Sequence, residues 1–138
     1  MNKLEAKITN IESAENISLV DLQANGDLFS CVIIETPETA DYLKIGNTVH
    51  ILFKETEVSI AKNFSGQISL RNQIASSIKQ IEKGRVLTKI VLDYKGIAIG
   101  SIITTRSANK LNLQVGEAVV GLIKANEVSI MEGEVPWN

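Results

Sequence analysis

The chain lacks the raw material of several protein classes. It has one cysteine, Cys31, in 138 residues, so no intrachain disulfide can brace it. Aromatic residues make up 4%, which leaves few platforms on which nucleic-acid bases stack. Lys+Arg number 14 against 16 Asp+Glu, so there is no global basic field to recruit nucleic acid. No long apolar run and no basic-plus-apolar leader occurs, and the expectation is a soluble, cytoplasmic protein without a membrane segment. Without a secretory signal, the glycosylation patterns at Asn16-Ile17-Ser18 and Asn63-Phe64-Ser65 are expected to stay unused. His50 has no second His or Cys at ligand spacing and reads as structural or exposed rather than as a ligand. "GIAIG" at Gly96–Gly100 lacks the phosphate-loop pattern. No nucleophile, base and orienting group stand together, so no enzyme activity is expected.

What the chain does contain is a copy of itself. "KETEVSI" at Lys54–Ile60 returns as "KANEVSI" at Lys124–Ile130, 70 positions later. Sliding residues 1–60 onto 71–130 without a gap gives 16 identities, among them Asn2/Asn72, Ile8/Ile78, Leu22/Leu92, Gly26/Gly96, Leu43/Leu113, Gly46/Gly116 and Val49/Val119. Identities at glycine and apolar positions in one register indicate duplication of a small unit. The repeats divide as residues 1–64 and 65–138. Each is near the small end of independent stability, so each is expected to lean on a partner.

Within each repeat the pattern is mostly strand. "RVLTKIVLDYKGIAIGSIIT" and "ISLVDLQANGDLFSCVII" read as hairpins turning at Lys95-Gly96 and Asn25-Gly26, with glycine taking positive φ. A short helix is expected after each hairpin, in "TTRSANKLNLQVGE" and in "TPETADYLKIGN", the latter with Thr36 as cap and Pro37 in the first turn. "AVVGLIKA" with "EVSIM", and "TVHILFKE" with "EVSIA", supply further strands. The connecting "KNFSGQISLRNQ" reads as partly strand-like. The expected fold is all-β: two tandem OB-like small barrels of about five strands, each with one short helix.

The run "ISLRNQI", a glycine-linked hairpin, and then "IITTRSANKLNLQVGEAVVGLIKANEVSI" resemble the molybdate-binding Mop or TOBE domain of molbindins. That domain also occurs in molybdate-responsive transcription regulators and in ATPase subunits of molybdate importers. The resemblance covers the second repeat almost entirely and the first more weakly, so the whole is similar to a tandem, two-Mop molbindin. It implies a ligand, molybdate or tungstate, bound as an oxyanion with no direct protein–metal ligand and no organic cofactor. It implies donors at Ser69, Arg71, Thr104, Ser107 and Lys124, backbone N–H groups of Leu70 and Ala125, and weaker contributions from Lys54, Asn72 and Thr105. Family members often carry Ser or Thr where Ala125 stands, so a hydroxyl contact is missing there. It also implies a homo-oligomer, a trimer with a dimer as alternative, holding anions between subunits, for storage or homeostasis. The alternative role is an oxyanion-sensing module acting on a transporter or regulator.

These residue types suit the chemistry. A tetrahedral dianion needs hydrogen-bond donors and cations with few carboxylates nearby. Arg71 offers a planar fork and Lys124 a compact charge. The repeats are not equivalent in this respect: Thr104 and Ser107 align with Ile34 and Pro37, Thr105 with Glu35, and Arg71 with Met1. Only Lys54 faces a donor, Lys124. The second repeat is therefore expected to bind and the first to act as scaffold or partner surface. Cys31 aligns with Ser101 inside a strand and reads as a small core residue. Trp137 reads as a subunit contact or a frayed tail.

Overall fold

A computed structural model of the chain describes residues 1–132; Trp137 lies outside the described residues. Ten strands and one short helix follow in order: β1 Asn2–Ala14, β2 Ile17–Ala24, β3 Asp27–Ile33, β4 Thr48–Phe53, β5 Ser59–Ala61, β6 Asn72–Lys83, β7 Leu87–Tyr94, β8 Ile97–Thr104, α1 Thr105–Lys110, β9 Ala118–Ile123 and β10 Ser129–Met131. They form two five-stranded sheets, ordered β10-β4-β1-β2-β3 and β5-β9-β6-β7-β8.

The two copies of the repeated motif are exchanged. β5, from the first repeat, pairs with β9, and β10, from the second, pairs with β4. The compact units accordingly differ from the sequence repeats: one is Met1–Asn2 with Lys54–Ile123, and the other Lys3–Phe53 with the chain from Lys124 on. Each repeat thus lacks a last strand of its own and receives the other's, which accounts for "EVSI" being written twice.

Local sequence explains most of the shared features. Asn25-Gly26 and Lys95-Gly96 have φ of 53° and 84°, and 50° and 87°, the two-residue turn whose twist matches its strands. β1 and β6 each break register once, between Ile8 and Asn10 and between Ile78 and Gln80. These bulges stand 70 residues apart, where the strand bends. There Ile8 takes its bonds from a loop, its N–H donating to the Asn47 carbonyl at 2.9 Å and its carbonyl accepting from Gly46 N at 2.8 Å. Ile78 does the same with Glu117 and Gly116. Both glycines have positive φ, 96° and 89°, hence their identity in the two repeats.

The cores follow from alternation along the strands. Ile8, Val20, Leu22, Phe29, Ile51 and Phe53 are buried in one unit, and Ile74, Ile78, Ile90, Leu92, Tyr94 and Ile99 in the other. Ser101 on β8, fully buried, donates to the Val58 carbonyl at 2.6 Å, tying that strand to the segment ahead of β5. Its counterpart Cys31 is equally buried. Burial, with Asp21 adding to it, pushes that thiol up to about 12, so it behaves as the expected small core residue.

Two expectations fail. No strand forms between Ala61 and Asn72, where the chain is irregular. The helix expected in the first repeat is a single turn, in which Ala40 N donates to the Thr36 carbonyl at 2.9 Å and Thr36 N to Thr39 Oγ1 at 2.9 Å. The difference lies at the C-terminal end. The carbonyls just past the end of α1, on its cap Leu111 and on Asn112, accept from Lys62 Nζ at 2.9 and 3.1 Å, a cation where the helix dipole favours one. The residue 70 places after Lys62 is Glu132, which faces Tyr42 and, after burial and Glu35, adds to holding that phenol above its usual range. A carboxylate cannot cap carbonyls, so the first repeat's turn stops after one bond of helical type.

Candidate functional site

The expected donors fall into two groups. Ser69, Leu70 and Arg71 sit in the irregular stretch ahead of β6; Ser69 and Arg71 are exposed and Leu70 half-buried, its carbonyl accepting from Gln73 Nε2 at 3.2 Å. Arg71 adjoins Asn72, the register partner of Ile123, and Lys124 follows Ile123 in sequence. Lys124 and Lys54 are exposed, each preceding a short 3-10 turn, Ala125–Glu127 and Glu55–Glu57. Among the described residues Arg71, Lys54 and Lys124 have no ion-pair partner, so the three charges are open to solvent or to a ligand.

The second group lies at the head of α1. Thr104 caps the helix: its Oγ1 accepts from Ser107 N at 3.1 Å and donates to Ser107 Oγ at 2.9 Å. Both residues are exposed. Thr105 is engaged otherwise. Its hydroxyl donates to the Gly84 carbonyl at 2.8 Å and meets Thr88 Oγ1 at 2.8 Å, pinning α1 to the β6–β7 turn. Asn72 is fully buried. Its counterpart Asn2 grips the backbone of Gly100, bonding its carbonyl at 2.9 Å and its N–H at 2.8 Å.

Register separates the groups within one unit. Lys83 pairs with Thr88 and Leu87 with Thr104, so Thr104 stands beside the far end of β6, while Ser69 and Arg71 precede its first residue. The 12-residue strand between them spans roughly 40 Å of extended chain. The fold does not bring Ser69 and Arg71 to Thr104 and Ser107 inside that unit.

A hollow of about 380 Å³ beside Thr104 is lined by Arg85, Val86 and Arg106, two cations that sequence reasoning passed over. The signal was in the repeat: Arg85 aligns with Glu15 and Arg106 with Thr36. In the first repeat the position of Thr105 is held by Glu35, whose carboxylate accepts from Tyr42 Oη. An acceptor-only group there offers a dianion nothing.

Comparison with known proteins now bears on these positions. The TOBE domain model matches residues 68–130. The molybdenum import ATP-binding protein ModC of Brucella abortus is 36% identical over 81 residues, 58% of this chain and 23% of ModC. The chain thus spans less than a quarter of that relative. A protein of Haemophilus influenzae named a probable molybdenum-pterin-binding protein is 32% identical over 65 residues, 46% of this chain and 94% of its own length. The chain belongs to the Mop/TOBE family. The structure of the cytoplasmic molybdate-binding protein ModG, in a crystal form with molybdate bound, matches this Mop/TOBE chain with a TM-score of 0.89 and 25% identity over 96% of each. The likeness therefore extends through both repeats. Every candidate donor except Lys54 lies inside the matched TOBE segment.

Proposed function

We propose that this Mop/TOBE protein binds molybdate or tungstate as an intact tetrahedral dianion in the cytoplasm, and stores and releases it without making or breaking a covalent bond. The observation that carries the reading is the exposed Thr104–Ser107 pair, two hydroxyls linked at 2.9 Å and engaged with little else. Nothing of the kind exists at the aligned Ile34 and Pro37. Arg71 and Lys124 would supply the compensating charge, Ser69 a further hydroxyl, and Leu70 and Ala125 backbone N–H groups. The burial of Asn72 and the committed hydroxyl of Thr105 favour structural roles for those two, and Lys54 remains a minor contributor.

Because β6 separates the two donor groups, a site using both draws them from different copies of the chain. That supports a homo-oligomer, a trimer with a dimer as alternative, in which the anion lies between subunits. It also predicts about one tight site per chain, since only the second repeat carries the full set.

A second reading is favoured by the Brucella match, in which the similar stretch is a small part of a larger ATP-binding import protein. Here the module senses the oxyanion and acts on a transporter or regulator. Calorimetry with molybdate, tungstate and sulfate, together with elemental analysis of the purified protein, tests the leading reading. Absence of heat and of molybdenum or tungsten would refute it. Oxyanion-dependent capture of an import component would favour the second.

A further inference from the structure

The hollow beside Thr104 holds two guanidinium groups, of Arg85 and Arg106, to which the reading above gives no role. Among the described residues Val86 completes the lining, so no carboxylate stands in it. Neither arginine forms an ion pair among the described residues. Glu82, the acid nearest Arg85 in sequence, accepts instead from Gln80 Nε2 at 3.0 Å. Two like charges around one hollow repel unless an anion lies between them. The space, about 380 Å³, exceeds that of a four-oxygen anion, on the order of 120 Å³ at about 30 Å³ per water-sized oxygen.

The backbone of the pair is fixed by one residue, Thr105. Its hydroxyl donates to the Gly84 carbonyl and its N–H to the Val86 carbonyl, both at 2.8 Å, so it grips the chain on either side of Arg85. Arg106 is the next residue after Thr105. The turn itself needs Gly84, where a Cβ would come within 2.4 Å of the Leu87 carbonyl oxygen. Both arginines therefore start from a set position, which lowers the ordering cost of binding. In the first repeat Glu15 stands for Arg85, Thr36 for Arg106, Glu35 for Thr105, and Ile34 and Pro37 for the hydroxyl pair. Cations and hydroxyls occur together in one repeat and are missing together from the other. Parts of one site behave so, whereas solvated surface charges have no reason to follow the hydroxyls.

We propose that Arg85 and Arg106 are anion-binding residues of the oxyanion site. They hold the dianion from the side that carries Thr104 and Ser107, while Arg71 and Lys124 face it from a second copy. The proposal rests on the oxyanion-binding reading above and adds a second pair of cations to it. It gives the hydroxyl half of the site its own charge, which β6 otherwise keeps a strand's length from Arg71.

The test is equilibrium dialysis of the full chain against molybdate at low and high salt, with bound molybdenum read by elemental analysis. Arg85→Gln and Arg106→Gln are each expected to raise the Kd by about tenfold or more at low salt, as loss of a charge-assisted hydrogen bond does. Both changes together should raise it by about 50-fold or more, and by less at high salt, where exposed charges are screened. Arg85→Lys/Arg106→Lys keeps the charge and should recover most of that loss. Lys79→Gln, on an exposed residue of β6, lowers the net charge equally and should stay within about threefold of wild type. Both arginines are exposed, so circular dichroism and the light-scattering mass should match wild type in every variant. Wild-type affinity in the double Gln variant, a Lys pair as weak as the Gln pair, a loss no larger than that of Lys79→Gln, or a loss that tracks dissociation of the assembly would each overturn the proposal and leave oxyanion binding standing. A wild-type chain that retains no molybdenum would overturn both.

Discussion

Replacing Thr104 by aspartate separates two roles that one hydroxyl holds in this structure. As a helix cap, Thr104 accepts from Ser107 N at 3.1 Å. Aspartate caps at least as well as threonine and adds negative charge where the helix dipole favours it. The thermal midpoint of Thr104→Asp should therefore stay within about 2 °C of wild type. As an oxyanion donor the position behaves oppositely. A charge-assisted hydrogen bond is worth about 1.5–3 kcal/mol, and aspartate cannot donate one. A carboxylate about 6 Å from a dianion is repelled by about 5 kcal/mol at an effective dielectric of about 20. Screening at this exposed position lowers that to about 2–3 kcal/mol. Together these losses should raise the Kd for molybdate roughly 300-fold or more. Thr104→Ser keeps both roles and should bind within about threefold of wild type. Calorimetry and thermal unfolding on the three proteins check this. Wild-type affinity in Thr104→Asp would show that the hydroxyl caps the helix and does nothing else.

Arg71→Ala and Lys124→Ala, both exposed, should each weaken oxyanion binding by about tenfold or more with an unchanged far-UV spectrum, whereas Lys54→Ala should change affinity by less than about threefold; two equal tight sites per chain by calorimetry would refute the assignment of binding to the second repeat alone. Ser101→Ala removes a fully buried hydrogen bond and should cost about 1–3 kcal/mol in urea unfolding by leaving the Val58 carbonyl unpaired. Lys62→Met takes the cation from the last carbonyls of α1, so helicity at 105–110 should fall, read as faster amide exchange there. Lys62 Nζ also lies 2.8 Å from the Glu117 carboxylate and, as the largest influence, holds that carboxyl below its ordinary 4.5. The folded-state pKa is depressed, so the pair's contribution is present above the ordinary value and lost as pH falls through the lowered one. Lys62→Met should lose that part of the acid limb, and an unchanged limb would argue that the pair contributes nothing.

Much of this was legible in the linear chain because it was written twice. Hairpin turns at Asn25-Gly26 and Lys95-Gly96, the paired glycines Gly46 and Gly116, and the alternating cores all follow from local chemistry that the 70-residue register makes visible. The candidate donors, by contrast, were named by the resemblance to the Mop/TOBE domain and not by local chemistry. The failure at Thr36–Ala40 came from treating the two helices as equal. Thr36 and Pro37 do favour a helical start, but whether the helix continues depends on what meets its last carbonyls. In one unit that is Lys62, 49 residues from Leu111 in the sequence; at the aligned place in the other stands the carboxylate of Glu132.

Tertiary structure alone decided the partition of the chain. The strand expected from "EVSI" is confined to Ser59–Ala61 and Ser129–Met131, the glutamates ending the 3-10 turns before them. Sequence could not determine which sheet that strand joins, because both sheets offer edges of identical pattern and a short strand pairs by register with either. The fold exchanges them, β5 onto β9 and β10 onto β4. The same holds for the candidate site: the resemblance named the residues, while the length of β6 puts Ser69 and Arg71 ahead of its first residue and Thr104 beside its far end. Side-chain chemistry is carried by each residue, but proximity is carried by the path of the backbone.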